Sequence, residues 1–256
     1  MPTAADLSLI KETRNTFLFV GSSGDGKTCA SYSFPTPMYH YDLDKRWKGV
    51  MGHPKIVNDL ERLKATEIVQ FDLNNWDKHE VALDLLKIKA MKPQDFPWKT
   101  VLWDGFSTTS DLAITFALKL TGVGGKDISR KIAGKNIAGW DEYGYEHTVF
   151  REICLKLKML PCNVIITAHW VDDYDDKGQK SGKKVNLRDK IMASVCKYFD
   201  EVYHFSKVDG PKGPRHVVKF RSTLARTSFL NLPNEIDWTG ENFYDVWLKL
   251  VQGEKS

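Results

Sequence analysis

GSSGDGKT, Gly21–Thr28, follows four apolar residues, Phe17–Val20, and precedes CASYSF, a run able to continue as helix. Its spacing matches the phosphate-binding loop G-x-x-x-x-G-K-[ST] at every fixed position. Gly21, Gly24 and Gly26 lack the Cβ that would obstruct the tight backbone, so successive N–H groups can turn inward around phosphate oxygens. The residues predicted to contact the nucleotide are Gly21, Ser22, Ser23, Gly24, Asp25, Gly26, Lys27, Thr28 and Cys29. Lys27 is placed to reach the β- and γ-phosphates, and the Thr28 hydroxyl to ligate Mg²⁺. The start of the following helix adds partial positive charge. The alternative is a chance glycine turn between strand and helix; the β-rich run ahead of the loop favours phosphate binding.

The chain has 256 residues, enough for one large α/β domain with a sizeable core, and a single domain over 1–256 is expected. Apolar residues make up 42% and charged residues 27%, as in ordinary globular proteins. No apolar stretch approaches the roughly 18 residues of a membrane span, and MPTAADLSLIKETRN lacks the layout of a secretory signal. A cytoplasmic protein with no membrane partner is therefore expected. Cys29, Cys154, Cys162 and Cys196 show no metal-ligand spacing and read as buried free thiols. Net charge is only +4, which argues against a general polyanion binder, yet His204–Arg226 carries six Lys/Arg against the single acid Asp209.

Strands are predicted at 17–20, 38–44, 67–71, 100–104, 163–170, 200–205 and 215–221, and helices at 77–91, 107–120 and 141–160. Alternation of the two implies crossover connections and a mostly parallel sheet flanked by helices. Three stretches read as irregular. Residues 121–139 look like a mobile basic loop carrying Lys126, Arg130, Lys131 and Lys135; 171–190 mixes charges around glycines; DGPKGP, 209–214, should close a C-terminal antiparallel hairpin.

Asp104 closes the apolar run Val101–Trp103 and is followed by Gly105 and a Ser/Thr-rich helix start, so it can hold the water shell of Mg²⁺ or else cap a turn. Asp42 and Asp44 end the strand that follows the phosphate-loop helix, 38–44, where alternation points both to one side. Asp44, further out, is the better group to orient or deprotonate a water; pairing of both with Lys45 and Arg46 on a solvated loop is the other reading. His169 ends NVIITAHW and is either a sensor of the γ-phosphate or an ordinary hydrogen-bonded histidine.

In this order, GSSGDGKT, MYHYDLD, TVLWDG, WDEYGYEHTVFREICLKL and NVIITAHW resemble the RecA-like ATPases, and more closely the phage AAA-type nucleotide-binding proteins that include single-strand annealing proteins of the Sak type. The resemblance spans roughly residues 15–226. It implies a RecA-like core with Lys27 and Thr28 in the Walker A role, Asp104 in the Walker B role, Asp44 where RecA proteins place a catalytic glutamate, and His169 as the sensor. Aspartate is one methylene shorter than glutamate, so slow hydrolysis is expected.

ATP follows from the resemblance alone, since no N-K-x-D signature reads the base. The family's two DNA loops map onto 121–139 and 171–190, which makes single-stranded DNA the expected partner, with a single-strand-binding protein beside it. Lys126, Arg130, Lys131 and Lys135 would follow the phosphate backbone. Trp140, Tyr143 or Tyr174 would stack on bases unless they are core or surface residues. Lys219, Arg221 and Arg226 lie where related oligomers offer cations to a neighbour's γ-phosphate, or form a basic strand edge.

A ring or filament of identical subunits is implied, in which LSLI, 7–10, could extend a neighbour's sheet. A phage origin would place the protein in the host cytoplasm. The expected function is Mg²⁺-dependent ATP hydrolysis controlling annealing or strand exchange. A small-molecule phosphotransferase, a packaging or helicase motor, and a nucleotide-gated interaction protein with little hydrolysis are the competing readings.

Overall fold

The structure, a computed structural model, describes residues 14–253 apart from 54–55, 57, 124–129, 133–134 and 212. In chain order, β1 (Thr16–Val20) leads through the phosphate loop into the short helix α1 (Lys27–Ser31), then β2 (Met38–Asp42), α2 (Leu60–Lys64) and β3 (Thr66–Gln70). Next come α3 (Asp77–Ala90), β4 (Thr100–Asp104), α4 (Phe106–Val123) and the small pair β5 (Arg130–Ile132) and β6 (Lys135–Ile137). Helix α5 (Trp140–Lys158) precedes β7 (Asn163–Ala168), the hairpin β8 (Trp170–Tyr174) and β9 (Lys180–Val185), and α6 (Asp189–Val195). The chain closes with β10 (Glu201–Val208), β11 (Arg215–Lys219), β12 (Glu235–Asp237) and α7 (Phe243–Val251).

Eight strands form one sheet in the order β12-β11-β10-β1-β7-β4-β2-β3. From β10 to β3 all neighbours are parallel, while β11 and β12 are antiparallel additions. One strand, β7, stands between the strand that feeds the phosphate loop and the strand that ends in Asp104; the mostly parallel sheet flanked by helices, with antiparallel C-terminal strands, is as expected from the sequence.

Alternation along β1 sorts its side chains onto two faces. Leu18 and Val20 join Tyr41, Trp103, Phe106, Phe150 and Ile166 beneath α4 and α5. Phe17 and Phe19 join Phe34, Tyr203, Phe205, Phe243 and Trp247 on the side of α1 and α7. The second face is nearly an aromatic block: Phe19 meets Phe205 at 4.7 Å between centroids, and Phe17 meets Phe34 at 5.1 Å. A polar thread runs through it. Trp247 Nε1 donates to the Tyr203 hydroxyl at 2.9 Å, which donates to Glu201 Oε2 at 2.9 Å.

Some elements differ from expectation. Strand β2 stops at Asp42 because the chain turns there, with Leu43 N donating to the Asp104 carbonyl at 3.0 Å, so Asp44 lies off the strand. The run 163–170 breaks at His169 into two strands. Residues 171–190, read as irregular, are mostly the β8–β9 hairpin and the start of α6; its charged residues pair across the ladder, as in Lys180–Asp172 at 2.7 Å. The described part of 121–139 is likewise partly ordered, as the β5–β6 ladder. The turn at 209–214 does join antiparallel strands. Among the described residues, no helix is long and apolar enough to cross a membrane.

Replacing Phe19 by alanine should remove a ring packed against Phe17, Phe34, Tyr203, Phe205 and Phe243 and cost about 3–5 kcal/mol. Urea unfolding of the purified variant measures this directly.

Candidate nucleotide-binding site

Because the central strands run parallel, their carboxyl ends share one edge, and register sets Asp42 beside Asp104 and Asp104 beside Thr167. The phosphate loop rises from the same edge, after Val20. Gly24 and Gly26 have φ of +85° and +92°, values that side chains disfavour. At Gly21 a Cβ would stand 2.8 Å from the Phe205 carbonyl oxygen. The loop is backed by residues far away in sequence: a Cβ on Gly26 would lie 3.0 Å from Trp238 and 3.1 Å from His216.

Lys27 is buried, and its Nζ donates to the carbonyls of Gly21 and Ser22, each at 2.8 Å. Burial pulls its pKa down against the attraction of Asp104, Asp25 and Asp44. Reaching a phosphate requires Nζ to exchange those two carbonyls for anionic oxygens, a better partner for a desolvated cation. Asp25 secures the loop: one carboxylate oxygen accepts from Ser22 N, the other from Lys207 N at 3.2 Å on β10.

The Thr28 hydroxyl donates to Asp104 Oδ2 at 2.9 Å, so the two residues expected to hold Mg²⁺ are in contact. Asp104 is buried, and its Oδ1 accepts from the Thr167 hydroxyl. Burial acts to raise its pKa, but His40, Thr167 and Thr28 outweigh it and hold the carboxyl below the usual carboxylate range. His40 was not singled out from the sequence, yet its Nε2 lies 3.6 Å from Asp104 Oδ2 while Nδ1 meets the Tyr32 hydroxyl at 2.8 Å. Only its place on β2, opposite Leu102 and two residues before Asp42, could have signalled it.

His40, Asp42 and Asp104 bring ligand-type atoms within 4.8 Å of one another. Asp42, however, is committed to structure: it accepts from Arg46 N at 2.9 Å, Trp47 N at 3.3 Å and Gln70 Nε2 at 2.7 Å. The side-chain pairing of Asp42 and Asp44 with Lys45 and Arg46, one of the two sequence readings, is not what the fold uses. Lys45 turns to Asp72 at 3.2 Å, and Arg46 reaches Ser23.

Asp44 accepts from the Thr108 hydroxyl and sits 3.3 Å from His169 Nε2. Burial acts to raise its pKa, and the hydrogen bonds from His169 and Thr108 bring it below the ordinary value. Gly105 makes this contact possible. Its φ is +112°, and a Cβ there would fall 2.6 Å from Asp44 Oδ1. His169 is anchored in turn, its backbone N donating to Ser107 Oγ at 3.2 Å. The half-buried Cys29 completes the lining, its thiol pushed up to about 11 by burial and Asp104, and so unsuited to nucleophilic work.

The remaining sequence candidates are dispersed. Lys126 lies outside the described residues, while Arg130, Lys131 and Lys135 have their backbones in β5 and β6. Trp140 is 88% exposed and Tyr174 60%, whereas Tyr143 lies under the Arg188 guanidinium at 3.5 Å. Lys219 faces Glu235 at 3.7 Å. Arg221 donates to the carbonyls of Leu232 and Phe229, and Arg226 to that of Phe199 at 2.9 Å.

A family model described as an AAA domain, AAA_24, matches residues 13–227, which holds every site residue named above except Trp238. The chain belongs to this family. It is a P-loop NTPase of AAA type. Among solved structures it is similar to a KaiC-like protein from the hyperthermophilic archaeon Pyrococcus horikoshii OT3, at 14% identity and a TM-score of 0.42, over 88% of this chain and 89% of that one. No curated protein matches the chain.

Two outcomes test the geometry. Gly105→Ala should displace Asp44 and destabilise the fold by roughly 1–3 kcal/mol; its effect on nucleotide turnover should nearly vanish in an Asp44→Asn background, read by a double-mutant cycle. The second concerns His204 on β10, whose pKa falls to about 4 from 6.5 through burial and the nearby Lys183 and Lys219, against the pull of Asp25. The unfolded chain then binds a proton that the folded one refuses between those values. The corresponding stability is complete above pH 6.5 and lost as pH falls toward 4, with an upper bound of about 3 kcal/mol. His204→Gln should flatten that limb of a stability–pH curve measured by urea titration.

Proposed function

We propose that this chain is a Mg²⁺-dependent ATPase of the phage Sak-type annealing class, using nucleotide binding to control its assembly on single-stranded DNA. The observation that carries the nucleotide half is the convergence of Lys27, Thr28, Asp104, Asp44 and His169 at one edge of one sheet, each linked by hydrogen bonds or charge to another member. The donor set suits a hard divalent cation, since a hydroxyl and a carboxylate already face each other. Thr28 would ligate Mg²⁺ directly, and Asp104 would hold its water shell. The ion would neutralise charge on the β- and γ-phosphates.

The chain's own residues supply the rest. Loop N–H groups and Lys27 bind the phosphates. Asp44 is held ionised by Thr108 and His169, as a base requires, and orients an attacking water or takes its proton. His169 connects that chemistry to the protein surface. Its backbone carbonyl accepts from Asn186 N at 2.7 Å, tying the sensor position to the end of the β8–β9 hairpin, which carries Lys180, Lys183 and Lys184. A change at the γ-phosphate would thereby reach the base of this hairpin, whose four lysines are balanced by Asp172, Asp173, Asp175 and Asp176; a nucleic-acid partner for residues 171–190 is proposed on the family resemblance. Ring or filament assembly, and a single-strand-binding partner, belong to the same proposal.

One observation favours a second reading, nucleotide-gated binding with little hydrolysis: both oxygens of the short Asp44 side chain are engaged, by Thr108 and His169. Turnover with and without single-stranded DNA separates the two. DNA should raise the rate, and ATP should raise affinity for single strands in filter binding at low salt. Affinity indifferent to ATP would sink the DNA proposal, while Lys27→Ala is expected to abolish nucleotide binding on either reading.

A further inference from the structure

We propose that Arg46 is the cation laid over the γ-phosphate, supplied by the same chain that holds the nucleotide. This rests on the reading of the site as a triphosphate site. Arg46 Nη1 donates to Ser23 Oγ at 2.6 Å, on the rim of the phosphate loop. The guanidinium is close enough to Lys27 to lower its pKa, placing a second cation beside the one expected to reach the β- and γ-phosphates.

The backbone around Arg46 is fixed for this purpose. Its N–H, with that of Trp47, is clamped by the fully buried Asp42 carboxylate. The preceding residue, Lys45, has φ of 55°, and among the described residues it is the one non-glycine in the left-handed region. That costs energy and persists only where neighbours impose it. The turn sends the Lys45 side chain to Asp72 and the Arg46 side chain to the loop. An exposed guanidinium with a neutral hydroxyl as partner keeps most of its five donors for a planar, bidentate grip on phosphate oxygens.

The arginines considered for a neighbour's phosphate are placed differently. Arg221 and Arg226 spend donors on carbonyls of their own fold. Arg46 also shares its turn with Asp44, so one short segment, 42–46, presents both the base and the cation. In hydrolysis the water oxygen bonds to the γ-phosphorus as the bond to the bridging β-oxygen breaks, and a proton passes from the water to Asp44 and on to solvent; ADP and inorganic phosphate leave. Arg46 exchanges no proton. It balances charge on the equatorial oxygens, which is greatest in the transition state.

The test compares wild type with Arg46→Ala, Arg46→Gln and Arg46→Lys in the full chain. Fluorescent ADP should bind all four within about twofold, while the preference for adenylyl imidodiphosphate over ADP should fall at least tenfold in the alanine and glutamine forms. Their kcat should drop about 10³-fold or more, with partial recovery in the lysine form, which keeps the charge and loses the fork. Mixing Arg46→Ala with Lys27→Ala subunits should restore nothing, because a cation acting within its own chain cannot be lent.

Unchanged kcat and unchanged triphosphate preference would overturn the proposal. Recovery on mixing would assign the cation to a neighbour, and equal loss of ADP and triphosphate binding would reduce Arg46 to a loop brace. If wild type binds nucleotide without turnover, the hydrolytic reading fails on its own, and the triphosphate preference still decides the role of Arg46.

Discussion

The contact between the Thr28 hydroxyl and the Asp104 carboxylate joins the start of α1 to the end of β4, and the rest of the site is arranged around it. A buried carboxylate is expensive unless every lone pair is met. Here Thr28, Thr167 and His40 converge on it from α1, β7 and β2, so three separate elements are held to positions that only the native sheet order provides. The same strand order that builds the core therefore fixes the pair proposed to hold the cation.

Parallel pairing makes this possible. An antiparallel sheet would scatter strand ends over two edges, whereas six parallel strands deliver Val20, Asp42, Asp104 and Ala168 to one. Burial on both faces then removes the freedom of those ends to drift. The aromatic block under α7 and the mixed aliphatic and aromatic cluster under α5 leave the central strands no solvent-facing side. The strand ends are held rigid, a division from the loops beyond them that suits the nucleotide-sensing role proposed for the site.

Much of this was legible in the residues. The phosphate loop, the parallel strands and Asp104 at a strand end carry local signals: glycine spacing, β-branched runs, a carboxylate after apolar residues. Asp44 and His169 were readable as strand-end polar groups, but their mutual contact was not, since it depends on Gly105 letting two loops approach. His40 was hidden because a histidine within a strand looks like any satisfied core residue.

The β8–β9 hairpin read as a loop because its glycines and mixed charges mimic solvated coil, while the ladder is held by pairing across strands that linear order does not show. Helix α7 did have a signal, an Asn242 cap followed by Phe243, Trp247 and Leu250 at helical spacing. Arg46 looked like half of a surface ion pair, and only the turn at Lys45 shows where it points.

Trp238 sits against Gly26, so the loop that the ribosome makes early finds its supporting wall in a segment made late. A nascent chain that has emerged as far as His169 holds every residue proposed to contact phosphate and none of that wall. Affinity for nucleotide should then arise as a late event of biogenesis, and a polypeptide cut short during translation would not compete with finished molecules for the cell's nucleotide pool.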